Sequence, residues 1–269
     1  MRSTSNRGIT CTVDEDVARV WLDRPDKLNG LTLDMLAELA ATSHRLARDR
    51  TLRAVVLTGA GDSFSAGLDV AAATRNPLRV ARSFLPSMRR GTNVLQEAAW
   101  GWRRLSLPVI AAVTGHCYGA GLQLALGADF RISTPDAQWS VLEARWGLVP
   151  DMSGVRSLAQ LVGIDTAKLL AMTGATISGE RAHELGLVTT LADDPVSAAD
   201  ELVERLRERS PDAVAATKRL FEATWGATPR RTFARERAEQ LRLLLGANHR
   251  ATRDAALRRE TPVFSARRR

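Results

Sequence analysis

Four short runs rich in β-branched and apolar residues, at positions 17–22, 54–58, 109–113 and 129–133, punctuate the first half of the chain with helix-length segments between them. This alternation restricts the fold more than any other feature. Between the first two runs Thr32 is placed to cap a helix that sets Leu33, Leu36, Leu39, Ala40 and Leu46 near one face. A strand, a helix and a second strand in that order imply a parallel pair with a right-handed crossover. The pattern recurs as a helical stretch at 83–105, a strand at 109–113, a glycine-rich turn, a helix at 119–126 and a strand at 129–133. From about residue 195 strands are no longer expected. Residues 198–209, 211–225, 231–245 and 248–259 read as four consecutive helices with polar, Gly or Pro breaks. We therefore expect an α/β core over residues 1–200 and a helical region over 201–269. The stripe Leu241, Leu244 and Leu245 needs cover from the core or from another subunit.

Composition removes several other classes. With 45% apolar and 25% charged residues in 269, the chain can bury a core. No apolar run approaches the roughly 18 residues of a membrane span, and residues 1–11 lack the apolar stretch of a secretory signal, so a cytoplasmic protein is expected. Cys11 and Cys117 are far apart with no metal-ligand spacing; both are expected reduced and buried, and no metal site is expected. The net charge of +8 raises the question of a polyanion, but of 38 Lys and Arg residues only Lys27, Lys168 and Lys218 are lysine. So lopsided a ratio reads as genome composition, with the arginines dispersed and solvated, and neither nucleic acid nor membrane is the expected partner. Arg267, Arg268 and Arg269 read as a frayed solvated tail.

Two glycine-rich segments carry the chemistry. Gly59-Ala-Gly-Asp-Ser-Phe-Ser-Ala-Gly-Leu-Asp69 follows a strand, lacks the Lys-Ser/Thr ending of a phosphate loop, and has no third glycine at dinucleotide spacing. Gly115-His-Cys-Tyr-Gly-Ala-Gly-Leu-Gln123 follows another strand and opens an apolar helix. Two such loops from one sheet could converge two backbone N–H groups on a developing oxyanion. Gly61-Asp-Ser-Phe-Ser65 fails as a nucleophile elbow at its last position. His116 reads as a loop histidine bonded to backbone; of the six tryptophans, most read as filler, with Trp139 and Trp146 also placed to line an acyl pocket.

Six segments, Arg24-Pro-Asp-Lys-Leu-Asn-Gly-Leu-Thr32, Val55-Val-Leu-Thr-Gly-Ala-Gly61, Phe64-Ser-Ala-Gly-Leu-Asp69, Pro108-Val-Ile-Ala-Ala-Val-Thr-Gly115, Gly119-Ala-Gly121 and Ala128-Asp-Phe-Arg131, resemble the crotonase (enoyl-CoA hydratase/isomerase) superfamily in order and spacing. The resemblance covers nearly the whole chain. It implies an α/β spiral of ββα turns, a C-terminal helical region that mediates trimerisation, a homotrimer or a hexamer built as a dimer of trimers, and an acyl-CoA thioester as substrate. No cofactor is implied beyond the coenzyme A that is part of that substrate. By position the oxyanion amides are those of Leu68 and Ala120, and Arg24, Lys27, Ala66 and Asp69 fall on the CoA side, with Arg258 or Arg259 of a neighbouring subunit as further phosphate contacts.

The acid–base residues depart from the hydratase pattern. Where that pattern has two glutamates, this chain has Gln123 and Glu143. Gln123 can hold a water but cannot take its proton. Asp151 follows eight residues after Glu143, at a position the superfamily's dienoyl-CoA isomerases and a dehalogenase also use. The resemblance therefore favours double-bond isomerisation by a Glu143/Asp151 proton shuttle, with hydration by Glu143 and a water on Gln123 as the alternative, and hydrolysis or dehalogenation by Asp151 as a third. The plainer readings are a helix N-cap for Asp151 and an arginine-paired surface carboxylate for Glu143. A rival of another kind is a catalytically idle fold that binds RNA or CoA through its arginines.

Overall fold

The computed structural model describes residues 2–268. Its strands, in chain order, are β1 (Arg2–Asn6), β2 (Ile9–Asp14), β3 (Val17–Leu22), β4 (Ala54–Gly59), β5 (Val109–Val113), β6 (His116–Tyr118), β7 (Phe130–Ser133), β8 (Gln138–Ser140), β9 (Thr176–Ser178) and β10 (Thr190–Leu191). Seven of them form one sheet in the order β1-β2-β3-β4-β5-β7-β10, antiparallel at β1-β2-β3 and parallel from β3 onward. The other three form a small sheet, β6-β8-β9. This is the α/β spiral that the resemblance implies.

The parallel strands read as unbroken apolar runs because both faces are buried. Alternate residues of β4 and β5 are sorted by the period of two: Val55, Leu57, Val109, Ala111 and Val113 enter the main core, while Ala54, Val56, Ile110 and Ala112 enter a second, smaller one. Helix α1 (Leu33–Leu46) lies between β3 and β4, capped by Thr32 Oγ1, which accepts from the Met35 N–H at 3.2 Å. Helices α2 (Val70–Thr74) and α3 (Pro77–Ser83) follow the first glycine-rich segment. The single helix expected over 83–105 is instead two pieces. Ser83 ends α3, Pro86 removes a backbone donor from the connection, and α4 (Val94–Arg103) starts afresh on an Asn93/Gln96 capping box.

The remaining helices are α5 (Ala120–Ala125), α6 (Gly154–Leu161), α7 (Ile164–Thr173), α8 (Gly179–Glu184), α9 (Pro195–Arg207), α10 (Pro211–Thr224), α11 (Pro229–Leu244) and α12 (Ala247–Arg258). The four C-terminal helices are present within a few residues of their expected bounds. The boundary expected near residue 200, however, falls inside α9, whose buried Ala199 and Val203 form the second core with β4 and β5. The tail is also not frayed over the described residues: Arg267 is buried and donates to the carbonyls of Asp49, Leu52 and Ser106. Arg269 lies outside the described residues. Trp102 and Trp139 are core residues, and Cys11 and Cys117 are buried free thiols. Among the described residues no helix is long and apolar enough to cross a membrane.

Lys218 of α10 fastens the helical region to the core. Its buried ammonium donates to the carbonyls of Trp102 and Leu107 at 3.1 and 3.0 Å and to Asp129 Oδ2 at 2.6 Å. Removing one partner of such a pair leaves the other buried and uncompensated. Lys218→Met is expected to lower unfolding stability by about 3 kcal/mol in a denaturant titration; a loss under about 1 kcal/mol would place the pair with solvent-exposed ones.

Candidate active site

The two glycine-rich segments are laced together by backbone. The N–H groups of Phe64 and Ser65 donate to the carbonyls of Thr114 and His116, and the Tyr118 N–H donates back to Ser65, all between 2.7 and 2.9 Å. Gly67 sits at φ +97°, and a Cβ there would stand 2.9 Å from the Tyr118 carbonyl, so a side chain is excluded by conformation and by space. That contact carries Gly67-Leu68 past Gly119-Ala120. The Ala120 N–H belongs to the first turn of α5, where no intrahelical acceptor exists. Neither it nor the Leu68 N–H has an acceptor among the described residues.

A third segment closes over these loops. Asn29, buried, donates from Nδ2 to the carbonyls of Ala60 and Ser63 and accepts from the Arg24 N–H. Of the residues expected on the CoA side, Arg24 donates to the Gly30 carbonyl and to Asp69 Oδ2, Asp69 Oδ1 caps α2 through the Ala72 N–H, and the Ala66 N–H donates to the Leu28 carbonyl. These three knit this third segment to the first glycine-rich one. Lys27 is exposed and has no ion pair among the described residues.

Glu143 lies on a 3-10 turn, Leu142–Trp146, directly after the small sheet's β8. A Cβ built on Gly119 would be 3.4 Å from Glu143 Oε1, which puts the carboxylate against the residue preceding Ala120. Its Oε1 accepts from Gln123 Nε2 at 2.6 Å, and its Oε2 is buried without any partner. The expected surface pairing with an arginine is absent among the described residues. Burial pushes the Glu143 carboxyl above its ordinary range, and the nearby Asp151 charge pushes the same way against the Gln123 hydrogen bond. Burial likewise raises Asp151.

Four further readings need correction. Asp151 does not cap a helix: α6 begins at Gly154 with Ser153 before it, and no side chain caps it. Gln123 does not face a water site. It is 1% exposed, and its Oε1 accepts from the N–H groups of Met152 and Gly154 at 2.8 and 3.0 Å. His116 Nδ1 pairs with the Ser63 hydroxyl at 2.9 Å rather than with backbone. Trp139 is wholly buried with its indole N–H on Ser133 Oγ, so it lines no pocket, whereas Trp146 is exposed on the Glu143 turn. Asn29 and the turn at Met152–Gly154 were not singled out from sequence, although the glycine at 154 hints at a close approach. No cluster of three or more His, Cys, Asp or Glu placed to hold a metal occurs among the described residues.

Comparison with known proteins defines the family. The profile of the family described as Enoyl-CoA hydratase/isomerase matches residues 12–261. The chain is 32% identical over 255 residues to 1,2-epoxyphenylacetyl-CoA isomerase of Escherichia coli (strain K12), covering 94% of this chain and 96% of that one. It is 33% identical over 211 residues to carnitinyl-CoA dehydratase of Citrobacter koseri, 77% of each. Among solved structures, the enoyl-CoA hydratase from Polaromonas sp. JS666 superposes with a TM-score of 0.86 at 30% identity, over 96% of this chain and 99% of that chain. The chain belongs to the enoyl-CoA hydratase/isomerase family, the crotonase superfamily, and is an enzyme of that family.

An acid whose folded pKa is raised destabilises the folded state as pH climbs above its unfolded value, because only the unfolded chain then ionises it freely. Glu143→Gln removes that penalty. The variant is expected to melt higher than the parent at about pH 7 to 8, the difference vanishing as pH falls below the ordinary value of 4.5; equal melting temperatures at both pH values would contradict a raised Glu143.

Proposed function

We propose that this enzyme isomerises a double bond in an acyl-CoA, with Glu143 and Asp151 dividing the proton transfers and the Leu68 and Ala120 N–H groups holding the thioester oxygen. The observation that carries the reading is Glu143: a half-buried carboxyl, pinned at Oε1, with Oε2 buried and unpartnered, and without a cation beside it. One carboxylate takes the proton from the carbon next to the thioester. The electron pair moves onto the thioester oxygen, where two N–H donors without other partners stabilise it. The other carboxyl returns a proton farther along the acyl chain as the double bond shifts, and the thioester carbonyl reforms. Two carboxyls raised by burial are suited to this, since one can be protonated while the other is not.

Hydration with a water on Gln123 is the weaker reading, because that amide is buried and committed to protein partners. The relative named an isomerase is consistent with the preferred one, while the relative named a dehydratase keeps removal of water within the family's range. We also propose that the exposed Leu241, Leu244 and Leu245 pack against a second copy in a homotrimer or hexamer.

Glu143→Gln and Asp151→Asn should each reduce turnover of a 3-enoyl-CoA by about a hundredfold or more with acyl-CoA binding nearly unchanged, followed through absorbance of the conjugated thioester. If the parent enzyme instead hydrates crotonyl-CoA rapidly and Asp151→Asn leaves that rate intact, hydration by Glu143 replaces isomerisation. For the CoA moiety, Lys27 and the basic surface are proposed to meet the phosphates, so affinity should fall as salt rises and acyl-pantetheine should bind more weakly. Equal affinity for acyl-CoA and acyl-pantetheine in calorimetry would reject that role.

A further inference from the structure

Gln123 bonds Glu143 directly and the backbone turn that follows Asp151. Its Nε2 donates to Glu143 Oε1 at 2.6 Å. Its Oε1 accepts from Met152, the residue after Asp151, and from Gly154. The amide cannot be flipped: two backbone donors converge on one end, so that end must be the oxygen, and the other end must be the NH2 that faces Glu143. Gly154 is part of the same arrangement, since a Cβ there would stand 2.5 Å from Gln123 Oε1. Between the two bonded N–H groups lies Ser153, a non-glycine residue at φ +69° whose buried hydroxyl has no partner. A left-handed residue costs energy and persists only where neighbours over-determine it, and the two hydrogen bonds to Gln123 do so here.

We propose that Gln123 is a positioning residue that fixes the spacing of Glu143 and Asp151 and restricts proton exchange on Glu143 to its Oε2. It acts through the two carboxyls and touches no reacting atom. This rests on the acid–base reading given above. Only an amide of this length meets both requirements at once, because one end must accept and the other must donate. A carboxylate at this position accepts from the turn but, when ionised, repels Glu143. A thioether does neither.

The test therefore uses two variants, Gln123→Glu and Gln123→Met, and reads deuterium wash-in at the carbon beside the thioester of 3-hexenoyl-CoA in D2O, together with kcat, KM and melting temperature. Gln123→Glu keeps the acceptor for Met152 and Gly154 and loses the donor to Glu143. The expected result is a fall in kcat and wash-in of about a hundredfold, as for a displaced catalytic group, with KM within about twofold of the parent and cooperative melting retained. Gln123→Met is expected to lose kcat at least as strongly. A purely structural role makes the opposite prediction for Gln123→Glu, which still holds the turn: kcat per folded molecule stays near the parent value. That outcome overturns the proposal and leaves the roles of Glu143 and Asp151 standing. Should the parent enzyme show no wash-in, the acid–base reading fails and the positioning role with it. Failure of Gln123→Met to fold does not rescue the proposal, because Gln123→Glu decides it alone.

Discussion

The backbone pairing of Ser65 with His116 and Tyr118 is the contact on which the site depends. A single such hydrogen bond adds only about 1 kcal/mol net, but leaving one buried and unmade costs more, so the pairing sets a register rather than merely adding stability. With that register fixed, Gly67 meets Tyr118, and the Leu68 and Ala120 amides are brought onto adjacent stretches of chain. The Ser65 side chain reinforces the same junction: its buried hydroxyl donates to the Asn29 carbonyl and accepts from the Gly67 N–H. Asn29 then reaches back to Ala60 and Ser63. Three motifs separated in sequence thus make one backbone structure, and the residues within them are explained by hydrogen-bond accounting before any chemistry is invoked.

The parts of this molecule that were legible in the sequence are those governed by local or periodic rules. Period-two alternation in β4 and β5, the Thr32 cap and the Pro and Gly breaks between C-terminal helices each act within a few residues, so they can be read without the fold. The helix expected over 83–105 is two pieces: apolar residues alone suggest continuity there, whereas Pro86 and the Asn93 capping box end one helix and begin another. The site was legible as motifs but not as contacts. Gln123 reads as a hydratase glutamate replaced by an amide, and nothing nearby in sequence announces that its acceptors and donors lie near residues 143 and 152–154. Arg267 departs from expectation for the same reason: a basic terminus resembles a solvated tail until carbonyls from residues 49, 52 and 106 surround it.

Those long-range partners also tie the C-terminal helices to the core. Helix α9 supplies Ala199 and Val203, small enough for the helix to lie close on the sheet. Helix α10 sends Lys218 to the carbonyls of Trp102 in α4 and Leu107 just before β5 and to the Asp129 carboxylate just before β7, and Arg103 of α4 meets Glu222 through several hydrogen bonds. A cation donating to carbonyls is a directional contact, so these residues fix the orientation of the helices as well as their presence. The region reads as separate only because it has no strands.

Charge distribution gives the site its chemical character. The chain carries a net +8, yet among the described residues Glu143 and Asp151 have no basic partner. Elsewhere in the fold arginines do meet carboxylates: Arg24 pairs with Asp69, Arg103 with Glu222 and Arg104 with Glu97. A guanidinium beside either site carboxyl would stabilise its anion and lower its pKa, making it a poor proton donor near neutrality. What stands there instead is a neutral amide, which orients Glu143 through one hydrogen bond without supplying a full charge. Burial is then free to raise both carboxyls. The same absence of cations that lets burial raise Glu143 makes the folded protein less stable at high pH.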